Sequence, residues 1–189
     1  MFELVYPSEP APVVAVKSIS GNPEMLPVVE ASGLVVARTT RSAVHGGSGL
    51  LHPVVHLHVI SRYGRIYLQK RSAGKDLYPG LWDTAVGGHV TYGESLEEAL
   101  LREAGEELSL FDFNPVYMQS YIYDNQKERE LVNVFATITG RKISPDNSEV
   151  DEGRYWKTDE IEAAIGTGVL TPNFEQEYVK LKDSLLALL

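Results

Sequence analysis

Residues 88–110, GHVTYGESLEEALLREAGEELSL, constrain the fold of this chain more than any other segment. Ser95, followed three positions later by Glu98, forms a capping box, which predicts that a helix begins there and continues to about Leu108. Three apolar residues fall on one face of this helix at 3.6 residues per turn: Leu100, Ala104 and Leu108. This face should pack on a hydrophobic core.

The same helix carries a group of acidic residues on the adjoining face. Glu103, Glu106 and Glu107 fall within an arc of roughly 100°, where carboxylates three and four positions apart repel one another. Only Arg102 is near enough to offset this repulsion. Because carboxylate oxygens are the ligands that Mg²⁺ prefers, bound cations would explain the cluster. The alternative is a solvated acidic face, which is the interpretation we give to Glu97 and Glu98.

Composition excludes several classes of protein. The chain has 189 residues, no cysteine and a formal net charge of -9, so disulfides, thiolate metal sites and cysteine catalysis are ruled out. No run of about 20 apolar residues and no basic segment followed by an apolar one occurs, which predicts no membrane span, no secretory signal and a cytoplasmic location. Lys and Arg are not clustered, so no nucleic-acid partner is expected. A protein this acidic can still bind a small phosphorylated molecule through metal cations.

The first half of the chain reads as an arm followed by two hairpins. Residues 1–25 are proline-rich and form the predicted arm, and residues 26–40 form a hairpin that turns at Gly33, where a positive φ is available. Residues 41–51 are rich in Gly and Ser and predict a loop. Residues 52–60 and 65–70 then form a second hairpin.

The second half alternates short strands with helices. Strands are predicted over residues 82–86, 117–123, 131–139 and 154–157, with a short helix capped by Thr158 and a last helix over residues 174–188. The pattern lacks regular βαβ alternation, which favours an α/β (α+β) domain with a mixed sheet and helices on its faces. We expect one domain over residues 1–189.

Residues 88–110 resemble the Nudix box, G-x5-E-x7-R-E-U-x-E-E-x-G-U, in which U is a bulky aliphatic residue. The matched positions are Gly88, Glu94, Arg102, Glu103, Glu106, Glu107 and Leu110. Two positions depart from the pattern, since Ala104 stands at the first U and Ser109 replaces the last glycine. The resemblance implies a Nudix-like α/β/α sandwich, here with an N-terminal β-hairpin extension, and an enzyme that hydrolyses a diphosphate bond.

Roles for the matched residues follow from this resemblance. Glu103, Glu106 and Glu107 would bind Mg²⁺, or Mn²⁺ in its place, with the backbone of Gly88 as a further ligand. The metals would polarise the bridging phosphate and lower the pKa of a bound water. Glu94 would balance the site through Arg102. Glu106 and Glu152 are both candidates for the general base.

A wider stretch, residues 26–130, resembles one Nudix branch, the type 1 isopentenyl-diphosphate isomerases. The segment LQKRSAGKDLYPGLWDTAVGGH is similar to the part of the isomerase that holds the substrate diphosphate, which implies phosphate binding by Arg71 and Lys75. The isomerase also holds a metal with three histidines and two glutamates, and the matching positions here are His45, His52, His89, Glu128 and Glu130. Such a donor set suits a second divalent ion.

Isomerisation itself is not favoured by the sequence. The isomerases use a cysteine as a proton carrier, and Gly87 stands at its position, while Asn173 stands at the position of their cation-stabilising tryptophan. We therefore predict a Mg-dependent Nudix hydrolase that cleaves a nucleoside diphosphate derivative or another organic diphosphate. The alternatives are an isopentenyl-diphosphate isomerase-like enzyme and a non-catalytic module that binds a diphosphate or nucleotide. His56 and His58 have no counterpart in the family and are interpreted as structural.

The expected partner is a small-molecule diphosphate, whose identity the sequence does not specify. The arm and first hairpin offer an edge for pairing, which is compatible with a homodimer, although nothing in the sequence requires one.

Overall fold

A computed structural model of the protein describes residues 2–15, 23–75, 77–125, 127–145 and 150–189. The strands are, in chain order, β1 Met25–Val29, β2 Val35–Thr40, β3 Leu51–Ile60, β4 Ile66–Arg71, β5 Trp82–Asp83, β6 Val86–His89, β7 Val116–Asp124, β8 Arg129–Ile138 and β9 Val150–Trp156. The helices of the described residues are α1 Arg41–Val44, α2 Leu96–Leu108, α3 Thr158–Ala164 and α4 Pro172–Leu186. None of these helices is long and apolar enough to cross a membrane.

Most strands belong to one sheet of seven. Its order is β5-β4-β3-β8-β7, with β6 paired to β3 and β9 paired to β4. The predicted hairpin of β3 and β4 is antiparallel, and its turn places Gly64 at a φ of +70°. The predicted pairing of the strands over residues 117–123 and 131–139 is also present, as β7 and β8. The mixed-sheet α+β class predicted from the sequence is confirmed.

The N-terminal hairpin forms a separate two-stranded sheet of β1 and β2. Gly33 has a φ of +86°, and a Cβ there would lie 2.8 Å from the carbonyl oxygen of Glu3, so glycine is required on both grounds. The predicted arm is extended beside this hairpin, since Val5 forms a parallel bridge with Leu34. Residues 16–22 of the arm lie outside the described residues.

The structure corrects the sequence prediction at three places. The loop predicted over residues 41–51 begins with the short helix α1, because burial of Ala43 and Val44 stabilises one helical turn despite the Gly/Ser-rich composition. The strand predicted over residues 82–86 is two strands, since the Asp83 carboxylate accepts the Thr84 amide at 2.8 Å and interrupts the ladder between them. Thr158 is the first residue of α3 and does not cap it.

By its internal contacts the chain divides into two compact units. The first comprises Met1–Val55, Gly88–Leu100 and Gln119–Asn133, and it contains a small cluster of buried residues: Ala11, Val29, Val35, Leu51 and Leu131. The second comprises His56–Gly87, Leu101–Met118 and Val134–Leu189. Its largest fully buried side chains are Leu57, Ile60, Ile66, Leu68, Leu108, Leu110, Ile161, Phe174 and Tyr178. The single domain predicted over residues 1–189 stays a prediction.

Helix α2 has the ends that its sequence predicts. The Ser95 hydroxyl accepts the Glu98 amide at 3.2 Å, and the Glu98 carboxylate accepts the Ser95 amide at 2.8 Å, which completes the capping box. The predicted core face is fully buried at Leu100, Ala104 and Leu108. After the helix, Ser109 takes a φ of +52°, the conformation for which a glycine is usual at a helix end. The turn that follows the box is therefore preserved without the glycine.

Candidate functional site

The acidic face of α2 is held together by one arginine. Arg102 Nη1 donates to Glu103 Oε1 at 2.7 Å and lies 3.5 Å from Glu106 Oε2. The two carboxylates differ in environment, since the Glu106 side chain is 62% exposed and that of Glu103 is largely buried. Arg102 thus offsets the repulsion that the sequence predicts, and Glu106 remains accessible from solvent.

Glu107 has a different setting, because it is buried. Gln69 Nε2, from β4, donates to Glu107 Oε2 at 2.8 Å, and Gln69 is buried as well. A buried carboxylate is costly unless hydrogen-bond donors face it, and the Gln69 amide supplies one. The other Gln69 atom, Oε1, is buried with no hydrogen-bond partner among the described residues. A donor such as a metal-coordinated water would satisfy it.

Sequence reasoning missed Gln69. The signal available was a polar residue within the strand IYLQKR, whose first four residues are all buried. A buried glutamine in an otherwise apolar stretch needs a polar partner, and the sequence alone does not say which.

The beginning of the box lies in the first unit. Glu94 Oε2 accepts the Thr91 amide at 2.9 Å, and the Tyr6 hydroxyl donates to the Glu94 carbonyl at 2.9 Å. Gly88 lies half-buried in β6. The predicted role of Glu94 through Arg102, and of the Gly88 backbone as a ligand, stay predictions.

A second cluster of metal-binding residue types is assembled within the first unit. Each of four residues offers a ligand atom, and these atoms lie within 4.8 Å of one another: His52, His89, Glu128 and Glu130. The fifth residue predicted for this site, His45, is not one of the four, but its Nδ1 lies 3.0 Å from Glu128 Oε1. The structure therefore brings together residues from three separate segments of the chain.

The hydrogen bonding of this cluster fits a cation. His52 Nδ1 donates to the Leu50 carbonyl at 3.1 Å, which leaves the lone pair on Nε2, and Nε2 is buried without a hydrogen-bond partner among the described residues. Burial lowers the pKa of His52, which favours the neutral ring that a metal needs. Burial would raise the pKa of Glu128, but the hydrogen bond and charge of His45 outweigh it and lower that pKa. The carboxylate is thus ionised.

The two residues predicted to bind phosphate are both in or after β4. Arg71 Nε donates to the Leu77 carbonyl at 3.1 Å, and its Nη1 donates to Asp83 Oδ2 at 3.2 Å. Asp83 Oδ1 in turn accepts the hydroxyl of Thr171, the N-cap of α4, at 3.0 Å. Arg71 therefore braces the loop that follows β4. Its predicted contact with phosphate, and that of half-buried Lys75, stay predictions.

Comparison with known proteins identifies the family. The sequence model described as the NUDIX domain matches residues 50–174. The chain belongs to the Nudix family. This Nudix protein is 29% identical over 148 residues to an isopentenyl-diphosphate Delta-isomerase of Brevibacterium linens, covering 75% of this chain and 81% of the relative. It is also 29% identical over 166 residues to an uncharacterized Nudix hydrolase of Streptomyces coelicolor, covering 87% and 91%.

A solved structure has the same fold. The crystal structure of DR0079 from Deinococcus radiodurans matches with a TM-score of 0.72 at 22% identity, over 83% of this chain and 98% of that chain. The predicted Nudix-like fold and the predicted enzyme class, a Nudix hydrolase, are confirmed. Enzymes of this family generally use divalent metals, and both clusters of this Nudix protein offer the oxygen or nitrogen donors that such ions take.

Proposed function

We propose that this protein is a Mg²⁺-dependent hydrolase that cleaves the diphosphate bond of a nucleoside diphosphate derivative or another small organic diphosphate. The observation that carries this proposal is the buried Glu107 carboxylate, held by Gln69, on the helix face that also presents Glu103 and Glu106. Three carboxylates on one face, with a single arginine between two of them, are a ligand set for a hard divalent cation. Mn²⁺ suits the same oxygens.

Each residue of this face has a distinct task in the proposal. Glu107 and Glu103 are the less exposed carboxylates and would hold the cation, while the accessible Glu106 would hold a second one or accept a proton from the attacking water. A divalent cation bound here would polarise the phosphate and lower the pKa of a water. Arg102 keeps two carboxylates oriented before the cation binds.

The general base stays open between two glutamates. Glu106 is accessible and lies on the acidic face. Glu152 is exposed in β9, opposite Lys70 of β4. Replacing each by glutamine and comparing the loss of turnover would choose between them, because only the base sets the acid limb of the pH profile.

A second candidate function is supported by a separate observation. The four-residue cluster of His52, His89, Glu128 and Glu130 matches the metal set implied by the isomerase resemblance. Gly87 has no side chain to carry a proton, but the His56 ring lies beside it. We therefore keep isopentenyl-diphosphate isomerisation as the second candidate, behind hydrolysis, and a non-catalytic diphosphate-binding module as the third.

One panel assay separates the candidates. Phosphate and nucleotide release would be measured with Mg²⁺ on ADP-ribose, dinucleotides, coenzyme A, nucleoside triphosphates and isopentenyl diphosphate, with the isomer ratio of the last read alongside. Metal-dependent cleavage of any member supports the hydrolase and identifies its substrate class. Isomerisation without cleavage would reverse the ranking, and tight binding without turnover would indicate the binding module. The cytoplasmic location, the absence of a nucleic-acid partner and a homodimer stay predictions.

A further inference from the structure

A buried ionic cluster lies in the second unit, apart from the carboxylates of α2. Glu177, from α4, is completely buried, and its two oxygens bind two histidines of β3. Glu177 Oε2 lies 3.0 Å from His56 Nδ1, and Glu177 Oε1 lies 2.6 Å from His58 Nε2. The histidines are two positions apart on one strand, so their side chains leave the same face.

The carboxylate in this cluster is ionised. Burial would raise the pKa of Glu177, but the charge of His56 and the hydrogen bonds from His56 and His58 outweigh it and hold that pKa well below its ordinary value. A buried ion pair is an expensive way to attach a helix, because apolar residues of similar volume usually stabilise as well or better. Attachment of α4 therefore does not by itself explain the cluster.

The two histidines differ in what their rings face. His58 is completely buried and lies against the ring of Phe174. The His56 side chain is 11% exposed, and its Cδ2–Nε2 edge lies beside Gly87. A Cβ on Gly87 would lie 3.6 Å from His56 Cδ2 and 3.7 Å from Nε2, and Gly87 itself is exposed. Glycine at position 87 thus leaves this edge of the ring uncovered by a neighbouring side chain.

The carboxylate also fixes the chemistry of that edge. Because Nδ1 of His56 points at an anionic oxygen, Nδ1 carries a proton, and the negative charge favours the doubly protonated ring. In that form Nε2 is a charged N–H donor. A chain with a net charge of -9 needs such donors to hold a diphosphate, and charge-assisted hydrogen bonds to phosphate oxygens are among the stronger ones.

We propose that His56, held by Glu177, is a substrate-binding residue whose Nε2–H donates a hydrogen bond to a phosphate oxygen of the diphosphate beside Gly87. This inference rests on the proposed function, because it takes a diphosphate as the ligand. Glu177 is the positioning residue, and His58 completes the hydrogen bonding of its carboxylate without facing the substrate. The inference departs from the sequence-based interpretation of His56 as purely structural.

The wild-type protein provides the direct test. With ¹⁵N-labelled histidine and saturating Mg²⁺, the ring resonances would be followed by long-range ¹H–¹⁵N correlation spectra during titration with imidodiphosphate, a diphosphate that is not hydrolysed. The Nε2 resonance of His56 should shift as imidodiphosphate binds, and both ring nitrogens of His58 should not. An unchanged His56, or equal shifts at both histidines, would overturn the inference.

Variants supply the second readout and separate the two proposals. His56→Gln should weaken imidodiphosphate binding and raise KM by about 10-fold or more. His58→Gln, the matched control, removes a partner from the same carboxylate and should lower Tm while leaving KM unchanged. If wild type cleaves a diphosphate but His56→Gln binds imidodiphosphate as well as wild type, this inference alone fails. If wild type neither binds imidodiphosphate nor cleaves any diphosphate, both proposals fail.

Discussion

Gln69 Nε2 donates a hydrogen bond to Glu107 Oε2 across 2.8 Å, and both side chains are buried. One carboxylate oxygen of Glu107 is thereby oriented by a strand residue, and the other oxygen is left to face a ligand. Groups that orient metal ligands in this way affect metal affinity nearly as much as the ligands themselves.

Replacing Gln69 should therefore weaken metal binding. In Gln69→Leu the buried Glu107 carboxylate loses the amide donor, and we expect the affinity for Mn²⁺ to fall by about 10- to 100-fold. Isothermal titration calorimetry would measure it. Gln176→Leu, at an exposed glutamine of α4, is the control and should bind Mn²⁺ like wild type. Wild-type affinity in Gln69→Leu would show that the hydrogen bond does not orient a ligand.

The histidine-glutamate cluster should hold a metal of its own. His52→Ala removes a buried nitrogen that has no other partner among the described residues, so the protein should retain about one fewer Zn²⁺ or Mn²⁺ ion per chain after dialysis. Metal content would be read by mass spectrometry. His58→Gln, outside the cluster, is the control. Equal metal content in wild type and His52→Ala would remove the second site from the account.

Stability in acid should depend on Glu177, which His56 and His58 face. Burial acts to raise its pKa, but the charge and hydrogen bonds of the histidines lower it below the ordinary value of 4.5. A carboxyl with a depressed folded-state pKa stabilises the fold above its unfolded pKa, and this contribution is lost as the pH falls toward the folded-state pKa. The free energy of unfolding should therefore decrease below about pH 4.5 in wild type.

Glu177→Gln should be less stable at neutral pH and should lose less stability on acidification. Urea unfolding between about pH 6 and about pH 3 would measure both effects. Asp183→Asn changes an exposed carboxylate on the same helix and should keep the wild-type slope. Parallel pH profiles for wild type and Glu177→Gln would mean that this carboxylate does not contribute to acid unfolding.

Ser109→Gly should stabilise the protein. Ser109 has a φ of +52°, which a residue with a Cβ adopts at a cost of about 1 kcal/mol. Relief of this cost, reduced by the greater freedom of glycine in the unfolded chain, should raise Tm by roughly 1–4 °C. Ser109→Val, with a branched Cβ at the same φ, should lower Tm. The opposite order in calorimetry would contradict the assignment of this turn.

Local patterns in the sequence were sufficient for the elements with strong periodicity or clear caps. The capping box at Ser95 and the glycine turns at Gly33 and Gly64 depend on neighbouring residues, and all three are present. Helix α1 and the division between β5 and β6 were not predicted, because they depend on burial and on one side-chain hydrogen bond rather than on a repeating pattern.

Parts of the two clusters were accessible from the sequence for a different reason. The glutamates of α2 follow one another along a helix, and the histidine cluster was predicted from resemblance to a family. The pairs of Gln69 with Glu107 and of His56 with Glu177 join residues 38 and 121 positions apart. No local pattern specifies such partners, since they are set by which strand and helix the fold brings together.

The central claim is that the carboxylates of α2 hold the metal for diphosphate cleavage, and turnover of Glu107→Gln tests it most directly. On the substrate that the panel identifies, kcat with Mg²⁺ would be measured for wild type, Glu107→Gln and the control Glu97→Gln, which changes an exposed glutamate of the same helix. We predict that Glu107→Gln keeps the fold and loses about 100-fold or more in kcat, while Glu97→Gln matches wild type. Near-normal turnover in Glu107→Gln would contradict the assignment of the site.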